Sequence, residues 1–223
     1  MDLRLIVFDV DGTLVDSQAH ILGAMTTAYA SFDLPVPERD QILSIIGLSL
    51  PQAMEVLSPG LSVSQRDALV DAYKSQYVSQ RHDLGEAQTS PLYPGVRSML
   101  DALASVPEHI LGVATGKSRR GLDYVLNTHG LTGFFATEQV ADHHPSKPHP
   151  AMLEAALRET GTDNRRAWMI GDTTYDIEMG RAAGMKTIGV AWGYHPTEHL
   201  TQAGADFVVT SVAELAALVT QGV

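Results

Sequence analysis

Cysteine is absent from the 223 residues. Disulfides, thiolate nucleophiles and cysteine-ligated zinc are therefore excluded. Basic residues are scarce, with 15 Lys and Arg against 26 Asp and Glu, for a net charge of −11. Tracking a nucleic-acid backbone needs clustered cations, so no nucleic-acid partner is expected. A local cationic pocket for a small anion is still compatible with this balance. No apolar run approaches the roughly 20 residues that span a bilayer, and no membrane association is expected. The N-terminus shows neither the basic stretch nor the long apolar stretch of a secretory leader, so a cytoplasmic location is the expectation. Low-complexity tracts are missing as well, and hydrophobic residues reach 44%, enough to fill a sizeable core.

What the chain does contain is a set of short apolar runs with the look of buried parallel strands: Leu3–Phe8, His109–Ala114, Ala167–Ile170, Thr187–Val190 and Phe207–Val209. Helical spacing separates the later ones, over Val96–Ala104, Arg119–Thr128, Pro150–Thr160, Ile177–Ala183 and Val212–Val219. This alternation predicts an α/β fold with a doubly wound parallel sheet. One stretch departs from it. Residues 16–83 carry helical patterns only, at Ala19–Ser31, Glu38–Ile46, Pro51–Leu57 and Ser64–Ser79, and Asp83–Pro94 reads as a returning linker. The expected organisation is a catalytic core of residues 1–15 and 84–223, interrupted after its first strand by an all-α cap of residues 16–83. A helical domain beside the carboxyl edge of a sheet suits a lid.

The strand ends carry the chemistry. Asp9-Val10-Asp11-Gly12-Thr13 follows the first strand. Two carboxylates at the end of a buried strand are costly unless a cation or a proton belongs there, although Asp-Gly is also an ordinary turn dipeptide. Thr115-Gly116-Lys117-Ser118 follows the second run, Ser146-Lys147-Pro148 ends a polar stretch, and Gly171-Asp172-Thr173-Thr174-Tyr175-Asp176 follows Trp168-Met169-Ile170. Ligands bind at the carboxyl ends of open parallel sheets, and acids, a hydroxyl and an ammonium converging there suit phosphoryl transfer. The anionic phosphoryl group must be neutralised before an anionic nucleophile approaches. Magnesium (Mg2+) does this with oxygen ligands, for which Asp9 and Asp172 are well placed. Lys147 can hold both phosphate and nucleophile, Thr115 offers a hydroxyl, and Gly116 can present a backbone N–H. Asp9 would attack phosphorus to give an aspartyl-phosphate, Asp11 would protonate the leaving alcohol and then activate water, and Asp176 would orient the site from further out.

Together these segments resemble the four motifs of the haloacid dehalogenase-like superfamily, in the family's order and with the spacing of its helical-cap branch, over essentially the whole chain. The resemblance implies a magnesium-dependent core under a mobile cap. It implies that Asp9 is nucleophile and metal ligand, that Asp11 is the acid/base with its backbone carbonyl on the metal, and that Asp172 is the third protein ligand. Phosphate-binding roles fall to Thr115 and Lys147, with the N–H groups of Val10, Asp11 and Gly116. The loop Gly47-Leu48-Ser49 between cap helices is implied to help select substrate. Dehalogenases lack an acid at the position of Asp11, and phosphonate hydrolases commonly have Ala there, so phosphate ester chemistry is favoured. Phosphoglycolate phosphatases are the closest likeness, which makes a small phosphorylated metabolite of the phosphoglycolate type the expected substrate. A β-phosphoglucomutase-type reaction and pyrophosphate or sugar-phosphate hydrolysis are the alternatives. Either a monomer or a homodimer is compatible. His143, His144 and His149 lack helical metal-site spacing, Trp192–His195 reads as site rim or packing, and Arg119 and Arg120 as a solvated face.

Overall fold

The computed structural model describes residues 3–84 and 86–221. β1 (Arg4–Phe8) is followed by helices α1 (Gln18–Ala30), α2 (Arg39–Ser44), α3 (Leu50–Leu57), α4 (Val63–Leu84) and α5 (Glu86–Thr89). Alternation then sets in: α6 (Val96–Ala104), β2 (His109–Thr115), α7 (Arg119–Thr128), β3 (Thr137–Val140), α8 (Ala151–Thr160), β4 (Ala167–Gly171), α9 (Thr174–Ala182), β5 (Lys186–Val190), α10 (Thr197–Gln202), β6 (Phe207–Val209) and α11 (Val212–Gln221). The strands make one parallel sheet in the order β3-β2-β1-β4-β5-β6. The order reverses between β1 and β4, so the crevice beyond their carboxyl ends is where a ligand belongs.

β1 is apolar throughout because both of its faces are covered. Ile6 and Phe8 join Val113, Leu122 and Ile170 on one side, while Leu5 and Val7 join Met152, Met169 and Met179 on the other. Helices α1 to α4 have an apolar cluster of their own, built on Ile21, Met25, Ile42, Met54 and Leu69. This is the helical cap. Its two connections to the core run side by side: the Asp16 N–H donates to the Pro91 carbonyl at 2.8 Å, and the Tyr93 N–H to the Leu14 carbonyl at 3.0 Å.

Four elements differ from the sequence expectation. β3 is a strand in which two of the three buried side chains are polar, Val140 being the third. Thr137 and Gln139 point inward and donate to the Glu159 carboxylate of α8 at 2.5 and 2.8 Å, so no apolar alternation marks it. α10 buries only Leu200 and is too short for a period to show. α4 runs on to Leu84, and α5 occupies part of the stretch read as linker. Among the described residues no helix is long and apolar enough to cross a membrane.

His20 is buried in the cap, stacked on Tyr77 with ring centroids 3.6 Å apart. Its Nε2 lies 2.9 Å from the Tyr77 carbonyl, which can only accept, so Nε2 carries the proton and Nδ1 is left without a partner. Burial lowers its pKa to about 4, an effect only partly opposed by the carbonyl contact. Between that value and about 6.5 the unfolded chain binds a proton that the folded cap refuses, so stability is lost as pH falls through this window. Urea unfolding at pH 7 and pH 5 should show His20→Phe losing roughly 1–2 kcal/mol less on acidification than the parent protein.

Candidate active site

Asp9, Asp172 and Asp176 are buried at the β1 and β4 ends, and one carboxylate oxygen from each lies within 4.8 Å of the others. Lys147, from the loop after β3, brings a fully buried ammonium 2.7 Å from Asp9 Oδ1 and 2.7 Å from Asp176 Oδ1. Asp176 is also the third residue of α9, where it closes a capping box. Its Oδ2 accepts from the Thr173 N–H at 3.1 Å and the Thr173 hydroxyl at 2.7 Å. Both of its oxygens are therefore committed, and it acts on the site by fixing Lys147. Asp172 accepts from the Thr13 hydroxyl at 2.9 Å and the Tyr194 N–H at 2.8 Å.

Asp9 is different. Its Oδ1 meets Lys147, but its buried Oδ2 has no partner. Burial pushes its carboxyl up to about 7, and repulsion from Asp176 and Asp11 adds to this, against the pull of Lys147. Burial and the Asp9 charge push Asp172 up too. Lys147 moves upward despite its burial, because two carboxylates hold its proton. Three carboxylates around one ammonium leave negative charge uncompensated. Hard oxygen donors with an orphaned carboxylate oxygen fit a divalent cation of the magnesium type.

Space around Asp172 is fully used. A Cβ on Gly12, whose φ is +84°, would lie 2.2 Å from Asp172 Oδ2, and one on Gly193 would lie 2.1 Å from Asp172 Cβ. Gly193→Ala must therefore push Asp172 aside. Binding of a divalent cation at Asp172, titrated by calorimetry, should weaken by roughly 10–100-fold. Gly60→Ala, which has open space around it, should leave that titration unchanged.

Asp11 faces the cap. Its Oδ1 accepts from the Ser17 hydroxyl and pairs with Lys117 Nζ at 2.8 Å. Lys117 also donates to the Tyr77 hydroxyl of α4 at 3.2 Å, and the Ser17 N–H donates to the Tyr194 hydroxyl at 3.0 Å. Thr115 is buried at the end of β2, and its oxygen accepts from the Lys117 N–H at 3.2 Å. This leaves the hydroxyl proton available to another acceptor. Gly116 lies under the cap loop, where a Cβ would be 2.6 Å from the carbonyl oxygens of both Gly47 and Leu48. The Ser49 N–H donates to the Ser146 hydroxyl at 2.8 Å. Asp9, Asp11, Thr115 and Gly116 thus share a cavity of about 490 Å³ with Gly47, Leu48 and Ser49. Lys147 stands outside the lining of that cavity and supports Asp9. The Val10 side chain is buried in the sheet's core, so only its backbone can serve a ligand.

The histidines do not assemble. His144 Nε2 lies 2.8 Å from Gln139 Oε1, and His149 Nδ1 accepts from the Ala151 N–H at 3.2 Å. Arg119 clamps Glu138 through its carboxylate and its carbonyl, both at 2.6 Å, while Arg120 lines the cavity. Sequence reasoning assigned no role to Lys117, although its place two residues after Thr115 put it on the same loop. It also missed Thr13, and it left Tyr194 between rim and packing.

Residues 6–190 match the family model described as haloacid dehalogenase-like hydrolase. The chain belongs to that family. Among relatives of this hydrolase, a probable phosphatase, IndB, of Dickeya dadantii is 36% identical over 95% of this chain and 91% of its own length. A phosphoglycolate phosphatase of Haemophilus influenzae is 30% identical over 95% of this chain and 96% of its own. A predicted phosphatase from Clostridium acetobutylicum shares the fold, with a TM-score of 0.86 at 24% identity over 99% of this chain and 100% of its own. The haloacid dehalogenase-like chain is accordingly a phosphatase-type hydrolase.

Proposed function

We propose that this hydrolase is a magnesium-dependent phosphatase of a small phosphorylated metabolite, working through an aspartyl-phosphate on Asp9. The observation that carries the reading is Asp9 itself: a buried carboxylate with one oxygen held by Lys147 and the other without a partner, beside Asp172. Asp9 and Asp172, with the Asp11 carbonyl, would hold the cation. When bound, it neutralises phosphoryl oxygens so that an anionic carboxylate can approach them.

The other steps belong to the chain's own groups. Lys147 fixes Asp9 and offsets its charge, and Asp176 fixes Lys147. Thr115 and the Gly116 N–H receive the phosphoryl oxygens. An Asp9 oxygen forms a bond to phosphorus as the ester P–O bond breaks. Asp11 gives its proton to the departing alkoxide, then takes one from the water that hydrolyses the aspartyl-phosphate, and inorganic phosphate leaves. Cap contacts on Asp11 from Ser17, and through Lys117 from Tyr77, set the orientation of this acid when the cap is down.

A phosphate-release screen over small phosphoesters, sugar phosphates, nucleotides and pyrophosphate tests the proposal. Release should require magnesium, stop on chelation and return on re-addition. No release from any class would sink it. Interconversion of sugar-phosphate isomers without net release would replace it by the mutase reaction.

A further inference from the structure

The cavity over Asp9 and Asp11 measures about 490 Å³. That lies within the roughly 300–1,000 Å³ that encloses whole drug-sized ligands, and a two-carbon acid would leave most of it empty. Four of the chain's 15 basic residues line it: Lys74, Arg81, Lys117 and Arg120. In a protein of net charge −11, that concentration runs against the overall field.

The four have different places. Lys117 belongs to the reacting end, where its ammonium is engaged by Asp11 and the Tyr77 hydroxyl. The others lie farther out. α4 sets Lys74, Tyr77 and Arg81 on one face, at i, i+3 and i+7. Lys74 and Arg81 thus stand one turn to either side of Tyr77, about 4–6 Å along the helix. Arg120 comes from the core, as the second residue of α7. Arg81 and Arg120 gather at one ring of α7, 3.6 and 5.8 Å from the centroid of Tyr124. Lys74 and Arg120 are exposed, so this group stands where the cavity meets solvent.

Among the described residues, no carboxylate lies within ion-pair reach of Lys74 or Arg120. Asp142, the remaining acid of the lining, is occupied by the Arg119 N–H at 2.7 Å. The mouth therefore carries a surplus of positive charge, drawn from the cap and the core. A phosphate suits it better than a carboxylate. It brings about two charges and three acceptor oxygens, which arginine takes in pairs and lysine as a point charge. An anion held between α4 and α7 also favours the cap-down arrangement, because it touches both domains.

We propose, resting on the phosphatase reading above, that Lys74, Arg81 and Arg120 bind a second phosphate carried by the substrate's leaving group. The substrate class is then a bisphosphate whose two phosphates are separated by a sugar-sized body, in place of the two-carbon phosphocarboxylate expected from the sequence.

Matched probes test this. Fructose 1,6-bisphosphate, fructose 1-phosphate and fructose 6-phosphate share the sugar and differ by one phosphate, and 2-phosphoglycolate represents the small acid. The wild-type enzyme with magnesium should show kcat/KM at least about tenfold higher for the bisphosphate than for any other probe, with most of the difference in KM. Salt at about 0.5 M should shrink that advantage, because the cations are open to screening. The double variant Lys74→Gln, Arg120→Gln should cut it by about fivefold or more, and exposure of both side chains keeps the fold. Calorimetry on Asp9→Asn with saturating magnesium reads binding without turnover, and there the bisphosphate should bind about tenfold tighter than fructose 6-phosphate. Equal or weaker binding and turnover of the bisphosphate, or an advantage left intact by the double variant, overturn the second phosphate site. Phosphate release from the other probes keeps the phosphatase reading in either case. Tighter bisphosphate binding with no phosphate released from any probe keeps the site and overturns the proposed reaction.

Discussion

Asp9→Asn should lower phosphate release by roughly 10⁴-fold or more, measured under saturating magnesium. An amide keeps the shape of the carboxylate but cannot attack phosphorus, and it is a poor substitute as an anionic metal ligand. The fold should survive, because Lys147 retains Asp176 at 2.7 Å. Stability supplies a second signature. The Asp9 carboxyl is raised from 3.8 to about 7 by its burial. Between those values the folded protein binds a proton that the unfolded chain has released. The metal-free protein therefore loses stability as pH rises through this window, the sign expected for an acid whose folded pKa is raised. Asparagine removes that slope. Denaturant titrations of metal-free protein at pH 5 and pH 7.5 should show the variant with the flatter profile, and a steeper profile would contradict the assignment of burial as the dominant cause.

Lys147→Met should cost both activity and fold. The ammonium is the shared partner of Asp9 and Asp176, all three side chains being essentially inaccessible. Its removal leaves two buried carboxyls facing each other with no cation between them. Truncating one partner of a buried ionic group typically costs about 3–5 kcal/mol, and the deficit should grow with pH as Asp9 ionises. Activity should fall by roughly 10³-fold, since the proposed nucleophile Asp9 loses both its orientation and its charge compensation. Lys147→Arg should not rescue it, because the slot is closed on all sides and a guanidinium is broader. A variant with near-normal kcat would remove Lys147 from the mechanism.

The sheet was legible where strands are buried on both faces. Leu5–Phe8 and Trp168–Ile170 are continuous apolar runs because nothing polar can sit there. β3 escaped because its inward side chains are satisfied by Glu159, a helical partner that no local pattern announces. The site follows the same rule. Thr115 ends a strand, and Asp9, Asp11, Lys147, Asp172 and Asp176 follow one or lie on the loop or helix that comes after it, and strand ends can be read from sequence. Thr13 on Asp172 and Tyr194 on Ser17 join residues far apart in the chain, at distances fixed only by the packed sheet. The dimensions of the cavity are also a tertiary quantity, set by how closely the Gly47–Leu48 carbonyls approach Gly116.

The paired connections Asp16–Pro91 and Leu14–Tyr93 have a consequence for biosynthesis. β1 is synthesised before every other strand of the sheet, yet its neighbours are β2 and β4. The most apolar segment of the nascent chain must wait, unpaired, while the whole cap is translated. The cap has its own apolar cluster and can collapse during that interval. As it does, it brings Asp16 towards Pro91 and so delivers β1 to the place where β2 will arrive. A destabilised cap would lengthen the exposure of β1 and raise the risk of aggregation during translation, even in a variant whose finished core is unchanged.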